Sequence, residues 1–301
     1  MKAGIVGLPN VGKSTLFNCL SNAKAQSANF PFCTIEPNIG VVNIPDERLD
    51  FLNKLVNPEK VIPATVEIVD IAGLVKGASK GEGLGNQFLS NIRETDAILH
   101  VLRCFDDDNI VHVDSTVDPI RDKETIDMEL QLKDMETVEK RKEKINRAAK
   151  TGNKESQKEL EILKKIISSL ERGENVRSID FIKDDQTTYV KSLQLLTDKP
   201  VLYVCNVDEN AAAKGNTYVE KVKTAIVKEN CEFLVMAVSI EADINELESF
   251  EERQLFLEDI GLTEPGSAKL IRSAYNLLSL QTYFTAGEKE VRAWTIPKGA
   301  S

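Results

Sequence analysis

Short apolar runs alternate with helical patterns along most of the chain. The runs that resemble buried strands lie at residues 5–6, 39–44, 66–70, 97–102, 201–205 and 233–238. Strands separated by helices in this way are typical of a parallel sheet with helices on both faces. The pattern therefore predicts a doubly wound α/β domain that occupies residues 1–120 and 200–277.

The stretch from about Arg121 to Gly173 departs from this pattern. It is highly charged and has no glycine before Gly152. Its apolar residues recur at spacings of three and four, at Met128, Leu132, Met135, Leu160, Leu163, Ile167 and Leu170. This spacing predicts two helices that are joined at 151–153 as an antiparallel, coiled-coil-like hairpin. We expect residues 121–199 to form a helical arm inserted into the α/β domain.

The tail, residues 278–301, contains two short strand-like pieces around Gly287. Two strands are too few for a stable domain. We therefore expect the tail to be cut off.

Composition limits the class of protein. No run of about eighteen apolar residues occurs and the N-terminus lacks a secretion signal, which predicts a cytoplasmic protein without a membrane partner. The net charge of -10 argues against wholesale binding to nucleic acid, and we expect no DNA partner. The five cysteines are scattered, as is usual for reduced thiols.

A local basic cluster nevertheless lies at the predicted tip of the hairpin. Its members are Lys140, Arg141, Lys142, Lys144, Arg147, Lys150 and Lys154. One interpretation is a contact for RNA phosphates. The other is an ordinary solvated helix face, balanced by Glu139, Glu143 and Glu155. The residues alone leave both open.

The first candidate site is the run GLPNVGKST at residues 7–15, which matches the phosphate-binding pattern G-x-x-x-x-G-K-[ST]. Backbone amides at the start of the following helix form an anion site, and Lys13 adds charge on the β- and γ-phosphates. The Ser14 hydroxyl is placed to bind Mg²⁺. The loop residues that we expect at the nucleotide are Asn10, Val11, Gly12, Lys13, Ser14 and Thr15. Asn10 is also a candidate K⁺ ligand.

Two further segments complete this predicted phosphate site. The strand at 66–70 ends in Asp70, and Gly73 follows in a D-x-x-G pattern that is typical of Mg²⁺ and γ-phosphate binding. The proline-broken segment 30–37 resembles a nucleotide-sensitive switch loop, with Thr34 as a second Mg²⁺ ligand or, equally, as a turn threonine. Cys33 beside it is either a redox-sensitive thiol or an inert cysteine.

The residue that orients water in Ras-like enzymes is replaced here. Leu74 stands at that position and cannot form the hydrogen bond, so hydrolysis needs another group. His112 lies in a polar segment and is the freer of the two histidines to approach a phosphate, whereas His100 lies inside a strand. We interpret the acidic residues 106–108 as a solvated loop end.

The base-reading segment is also altered. Guanine-specific enzymes have Asn-Lys-x-Asp at this place, whereas residues 206–209 of this chain are NVDE. The extra methylene of Glu209 and the loss of the lysine at Val207 disfavour bidentate recognition of guanine, so adenine is the better prediction. Asp208 lies one position early, and a local shift there would restore guanine binding.

With these motifs placed, the chain closely resembles the YchF ATPases of the Obg group over essentially its whole length. The resemblance implies a P-loop G domain, an inserted helical arm and the start of a TGS domain in the tail. It implies Mg²⁺ ligation by Ser14 and Thr34, and adenine between Phe105 and Val207 with Asn206 beside it. It also implies that His112 is the catalytic histidine and that the ribosome is a partner.

The leading interpretation is a slow, Mg²⁺-dependent ATPase that a ribosomal partner stimulates. Two alternatives remain. One is a GTPase, and the other is a non-catalytic switch in which nucleotide binding controls contact with RNA or protein.

Overall fold

The computed structural model of the chain describes residues 1–22, 39–71, 84–113, 115–229, 231–247 and 249–300. The strands among these residues are β1 (Lys2–Val6), β2 (Ile39–Asn43), β3 (Lys60–Ile62), β4 (Thr65–Asp70), β5 (Ala97–Arg103), β6 (Val201–Asn206), β7 (Glu232–Met236), β8 (Leu280–Ala286) and β9 (Glu290–Pro297).

The helices lie between these strands and in the arm. They are α1 (Lys13–Asn22), α2 (Glu47–Val56), α3 (Leu84–Arg93), α4 (Pro119–Lys150), α5 (Lys154–Glu171), α6 (Lys183–Asp185), α7 (Thr217–Ile226), α8 (Val238–Glu246), α9 (Phe250–Asp259) and α10 (Gly266–Leu277). Shorter helical turns occur at Val176–Ser178, Gln186–Val190, Lys191–Leu193 and Glu209–Ala211.

The larger sheet has the strand order β2-β4-β1-β5-β6-β7. All neighbours pair in parallel except β2, which runs antiparallel to β4 at the edge. Every residue of β5 and β6 is buried, which requires cover on both faces of the sheet. The predicted doubly wound α/β fold is confirmed.

The predicted hairpin is confirmed as well. Helix α4 begins where Asp118 caps it by accepting hydrogen bonds from the backbone N–H groups of Ile120 (3.1 Å) and Arg121 (3.2 Å). Pro119 in the first turn suits this start. Helix α5 is capped by Asn153, which accepts from Ser156 N at 2.9 Å, and Gly152 at φ +90° allows the reversal between the two helices.

One detail of the hairpin prediction is wrong. Met128 is 58% exposed and Leu132 is 43% exposed, so neither lies in the seam that the spacing suggested. The buried side of α4 instead carries Ile126, Leu130, Asp134, Val138 and Ile145. Asp134 is the buried carboxylate that interrupts the apolar repeat on this side of α4. The exposed Met128 and Leu132 have helical spacing too, so the sequence pattern wrongly assigned them to the interface between the helices.

The arm has a hydrophobic core of its own, which includes Val138, Ile145, Leu163, Ile166, Leu170, Val176 and Val190. The core of the α/β domain includes Ile126 and Leu130 from the base of α4 and extends into the tail through Leu280, Val291 and Ala293. The described tail and the base of the arm therefore share the core of the α/β domain, while the rest of the arm packs around its own core.

A buried ionic cluster joins the base of the arm to the α/β domain. Lys123 of α4 contacts Asp127 (2.7 Å) and Glu229 (2.5 Å), and Arg177 contacts the same two carboxylates at 3.3 and 3.5 Å. Tyr203 of β6 donates to Glu229 at 2.9 Å. Burial by itself raises the pKa of Asp127, but the charges of Arg177 and Lys123 outweigh it and lower that pKa. Oppositely charged groups therefore stabilise one another in this cluster, although the buried Arg177 Nε has no hydrogen-bond partner among the described residues.

The tail strands belong to a second sheet with the order β3-β9-β8. Strands β8 and β9 correspond to the two predicted strand-like pieces, and they pair antiparallel with Tyr283 opposite Trp294. The third strand was not predicted: β3 pairs in parallel with β9, and Lys60 aligns with Glu290. This sheet therefore joins residues from near both ends of the chain. None of the helices among the described residues is both long and apolar enough to cross a membrane.

Asp134 provides a test of the arm's attachment. Its carboxylate is fully buried and accepts hydrogen bonds from Leu196 N (2.8 Å), Thr197 N (2.7 Å) and the Thr197 hydroxyl (2.7 Å). Asp134→Ala leaves these donors unsatisfied, and we expect the free energy of unfolding to fall by roughly 3 kcal/mol in urea denaturation followed by circular dichroism.

The matched control is Glu139→Ala, which removes an exposed carboxylate from the same helix and is expected to change stability by less than about 0.5 kcal/mol. Equal stability of the two variants would show that Asp134 does not hold the arm to the returning chain.

Candidate functional site

The predicted site residues follow the carboxyl ends of neighbouring strands of the larger sheet. The loop at 7–12 follows β1, Asp70 ends β4, Phe105 follows β5, and Asn206 ends β6. Because these strands are parallel, all of these ends meet at one edge, where open α/β sheets bind ligands.

The loop at 7–12 is closed on itself by Lys13. The Lys13 side chain is buried, and its Nζ donates a hydrogen bond of 2.6 Å to the carbonyl of Leu8 across the loop. Burial lowers the pKa of Lys13 to about 8, although the charge of Asp70 opposes this effect. The ammonium group is therefore held at the centre of the loop, where an anionic ligand would stabilise its charge.

Asp70 and Ser14 lie together on the side of the loop that faces β4. Burial raises the pKa of Asp70, and the charge of Lys13 and a hydrogen bond from Ser14 oppose that change. A hydroxyl and a carboxylate are hard oxygen donors of the kind that Mg²⁺ prefers. The two residues therefore fit a Mg²⁺ ion that would neutralise and orient phosphate oxygens.

Several predicted residues lie outside the described part of the chain. These are Thr34 and Gly73, together with Leu74 and Cys33. Their roles stay predictions.

Asn206 ties the phosphate-binding loop to the opposite end of the site. Its amide nitrogen donates to Val11 O at 3.0 Å, and its amide oxygen accepts from Val238 N at 3.0 Å. Gly12 has φ +97°, and a Cβ there would lie 2.6 Å from the Asn206 amide nitrogen. Only glycine therefore permits this close approach. The asparagine fixes the position of the loop as well as bordering the base region.

A cavity of about 580 Å³ lies beside this bridge. From the loop side, the predicted residues that line it are Asn10, Gly12 and Thr15. From the base side they are Phe105, Asn206, Val207 and Glu209. The structure therefore brings these two sets of predicted residues around one space, which is large enough for a nucleoside.

Two carboxylates lie at the base end of this cavity. The Asp208 side chain accepts a hydrogen bond from Ala211 N at 3.2 Å and so caps the short helical turn at Glu209–Ala211. Glu209 is exposed at the rim. The local shift that would let Asp208 read guanine must therefore break this cap.

Sequence reasoning missed Arg103, which shapes the loop that carries Phe105. Arg103 is buried, donates to the carbonyls of Phe105 (3.1 Å), Asp107 (3.2 Å) and Ile110 (2.9 Å), and places its guanidinium 4.7 Å from the centre of the Phe105 ring. An arginine inside a strand gave no motif signal. In the acidic stretch 106–108, the Asp106 carboxylate accepts a hydrogen bond of 3.0 Å from the Tyr218 hydroxyl.

Both histidine rings are buried, and the catalytic role of His112 stays a prediction. His100 packs against Tyr203 with ring centres 5.4 Å apart, and burial lowers its pKa to about 3. The His112 Nε2 lies 2.9 Å from a carboxylate oxygen of Asp122, in the first turns of α4. Asp122 is a second residue that the motifs did not reveal.

The parallel sheet, together with the phosphate-binding loop at the carboxyl ends of its strands, defines the class as a P-loop nucleotide-binding protein with the GTPase fold. A family model described as "50S ribosome-binding GTPase" matches residues 2–207. The protein named ribosome-binding ATPase YchF of Bacillus subtilis is 56% identical over 99% of this chain and 82% of its own length. Its namesake from Escherichia coli O157:H7 is 52% identical over 100% and 82%. The chain belongs to the YchF family.

Solved structures agree with this assignment. The YchF GTPase of Schizosaccharomyces pombe superposes with a TM-score of 0.88 at 40% identity, over 100% of this chain and 81% of that one. A GTP-binding protein from Pyrococcus horikoshii has a TM-score of 0.60 at 19% identity over 100% and 87%, a likeness in fold alone.

The Asn206 bridge can be tested directly. Asn206→Ala removes both hydrogen bonds that hold the loop, each worth about 1 kcal/mol, and we expect the Kd for nucleoside triphosphate to rise by about tenfold or more. Fluorescence titration with a labelled nucleotide measures this change. Asn109→Ala, an exposed amide on a neighbouring loop, is the control and should leave the Kd unchanged. Unaltered binding by the Asn206 variant would contradict the proposed bridge.

Proposed function

We propose that the chain is a Mg²⁺-dependent ATPase that associates with the ribosome in the cytoplasm. The observation that carries this proposal is the cavity of about 580 Å³ that joins two regions. On one side lies the phosphate-binding loop, and on the other lies the altered base-reading segment with Val207 and Glu209. The printed names of the relatives, ribosome-binding ATPase, point in the same direction. The proposal extends the ribosome binding in those names to this chain and includes a role in translation or stress regulation.

In this proposal the triphosphate lies on the amides of residues 10–15 with Lys13 at its β- and γ-phosphates. Ser14 and Asp70 hold Mg²⁺, and Thr34 adds a ligand from the segment outside the described residues. Phe105 and Val207 contact the two faces of adenine. Gly73 donates its N–H to the γ-phosphate, and His112 acts in hydrolysis in place of the missing glutamine.

Asn10 is the proposed K⁺ ligand. Its amide nitrogen donates to Val111 O at 3.0 Å, which leaves the amide oxygen as the atom for the cation. Equal hydrolysis rates in K⁺ and Na⁺ would remove this part of the proposal.

The proposed preference for adenine depends on the base-reading segment at residues 206–209. Guanine specificity needs a carboxylate that accepts from two guanine nitrogens, but Asp208 is engaged by its own cap and Glu209 is one methylene longer than aspartate. A GTPase remains the alternative because the family model and the fission-yeast relative carry that description.

Nucleotide titration decides between these activities. We expect ATP to bind at least about tenfold more tightly than GTP, and Lys13→Ala to weaken ATP binding by about a hundredfold because it removes a buried charge from the phosphate site. Calorimetry with Mg²⁺ present gives both values, and Lys214→Ala removes an exposed lysine as the control. Tighter binding of GTP would overturn the adenine assignment, and intact ATP after hours with ribosomes would favour the non-catalytic switch.

The proposed ribosome contact is the basic cluster at the tip of the arm. Residues 140–154 contain seven basic residues and one acidic residue. Lys140 pairs with Glu136 and Arg141 with Glu159, whereas the other five basic residues form no ion pair among the described residues. Unpaired, projecting cations at the end of a long hairpin are suited to RNA phosphates.

This contact predicts salt-dependent binding. Replacing Lys144, Arg147 and Lys150 by glutamine should weaken cosedimentation with ribosomes and lower the slope of log K against log salt by roughly 2 to 3. The control replaces Lys214, Lys221 and Lys228, which are exposed on the α/β domain. The same loss in both variants would indicate that net charge, and not the arm tip, governs binding.

A further inference from the structure

The segment that carries His112 exposes its apolar side chains and buries its polar one. Val111 is 74% exposed and Val113 is 56% exposed, while the His112 side chain between them is only 3% exposed. Water favours the opposite arrangement, since valine is normally buried and imidazole is readily solvated. Some interaction must therefore hold the ring inside.

That interaction is a buried pair with the arm. The His112 Nε2 lies 2.9 Å from Asp122 Oδ2, and the Asp122 side chain is 1% exposed. The other Asp122 oxygen accepts from Arg121 Nη2 at 3.2 Å, and Arg121 also bonds Thr116 of the same segment. The segment between β5 and α4 is thus fastened to the first turns of the arm.

The same segment also contacts the phosphate-binding loop. Asn10 has φ +61° and donates from its side chain to Val111 O at 3.0 Å. Ile110 lines the nucleotide cavity, but His112 is not among the residues that line it. The backbone next to His112 therefore lies against the loop while the ring is directed to the arm.

We propose that Asp122 is a positioning residue that holds His112 in a docked, inactive position and so lets the arm control hydrolysis. This inference rests on the proposed catalytic role of His112. In the docked position the ring does not border the nucleotide cavity. Hydrolysis requires the ring to leave Asp122 and turn toward the phosphates. Because Asp122 belongs to α4, a displacement of the arm by its partner changes how firmly the ring is held.

The test is the basal ATPase rate of Asp122 variants. Asp122→Ala removes the hydrogen bond between the docked ring and the arm and favours the undocked position, so we expect kcat to rise by about three- to tenfold without a change in ATP affinity. Asp122→Asn keeps the shape and a weaker, uncharged hydrogen bond, and we expect a smaller rise. Glu124→Gln, which removes an exposed carboxylate from the same part of α4, is the control and should leave kcat unchanged.

The His112→Ala variant separates this proposal from the function on which it rests. We expect it to lower kcat, and we expect the double variant with Asp122→Ala to hydrolyse ATP no faster than His112→Ala alone. If Asp122→Ala falls to the rate of His112→Ala, Asp122 supports catalysis and the inhibitory role is overturned. An unchanged rate overturns it as well. A normal rate for His112→Ala alone removes the catalytic histidine itself.

NMR of the imidazole nitrogens reports directly whether the His112 ring is bound to Asp122. A purely structural role of Asp122 would not change these signals for His112 alone. The chain has two histidines, so ¹⁵N-histidine labelling gives one signal set for His112 and one for buried His100 as an internal control. We expect the wild type to show a slowly exchanging His112 Nε2–H, and Asp122→Asn to shift His112 alone. Rapid exchange of His112 in the wild type would show that the ring is not docked.

Discussion

Parallel pairing of the central strands is the constraint on which the site depends. Strands β1, β4, β5, β6 and β7 run in one direction, so each ligand-facing segment leaves the sheet at the same edge. The ligand-facing segments therefore begin next to one another, and short side chains are long enough to connect one segment with the next. Asn206 shows how this works, because one amide joins the loop after β1 to the chain after β7. The geometry of the phosphate loop is therefore a property of the sheet and not of the loop alone.

The same logic explains what sequence could and could not predict. Motifs with a fixed local geometry, such as the run at 7–15 and the tetrapeptide after β6, were placed correctly because their chemistry is encoded in adjacent residues. Arg103 and Asp122 were missed because their partners lie outside their own helix or strand. No motif or residue spacing in the sequence indicates these contacts. Strand β3 was missed because it has three residues and forms only by pairing with β9. The arm's seam was misplaced because Asp134 occupies a buried position that periodicity assigns to an apolar residue.

The arm combines independence with close attachment. The arm has an apolar core of its own, while its base joins the α/β domain both through the buried ionic cluster and through Ile126 and Leu130, which belong to the apolar core of that domain. Buried ionic contacts have demanding geometry, so they tolerate few arrangements and resist gradual deformation.

The small sheet of the tail has a consequence for how the molecule is assembled. Lys60 pairs with Glu290, so the two partners are 230 positions apart in the chain. During synthesis β3 leaves the ribosome long before β9, so it stays without this partner until the residues around Glu290 have also emerged. The entropic cost of closing so long a segment is small per added residue, and it is lower still once the intervening domain has folded. The small sheet therefore forms only after the α/β domain and the arm have been synthesised, because a nascent chain that stops before β9 cannot form it.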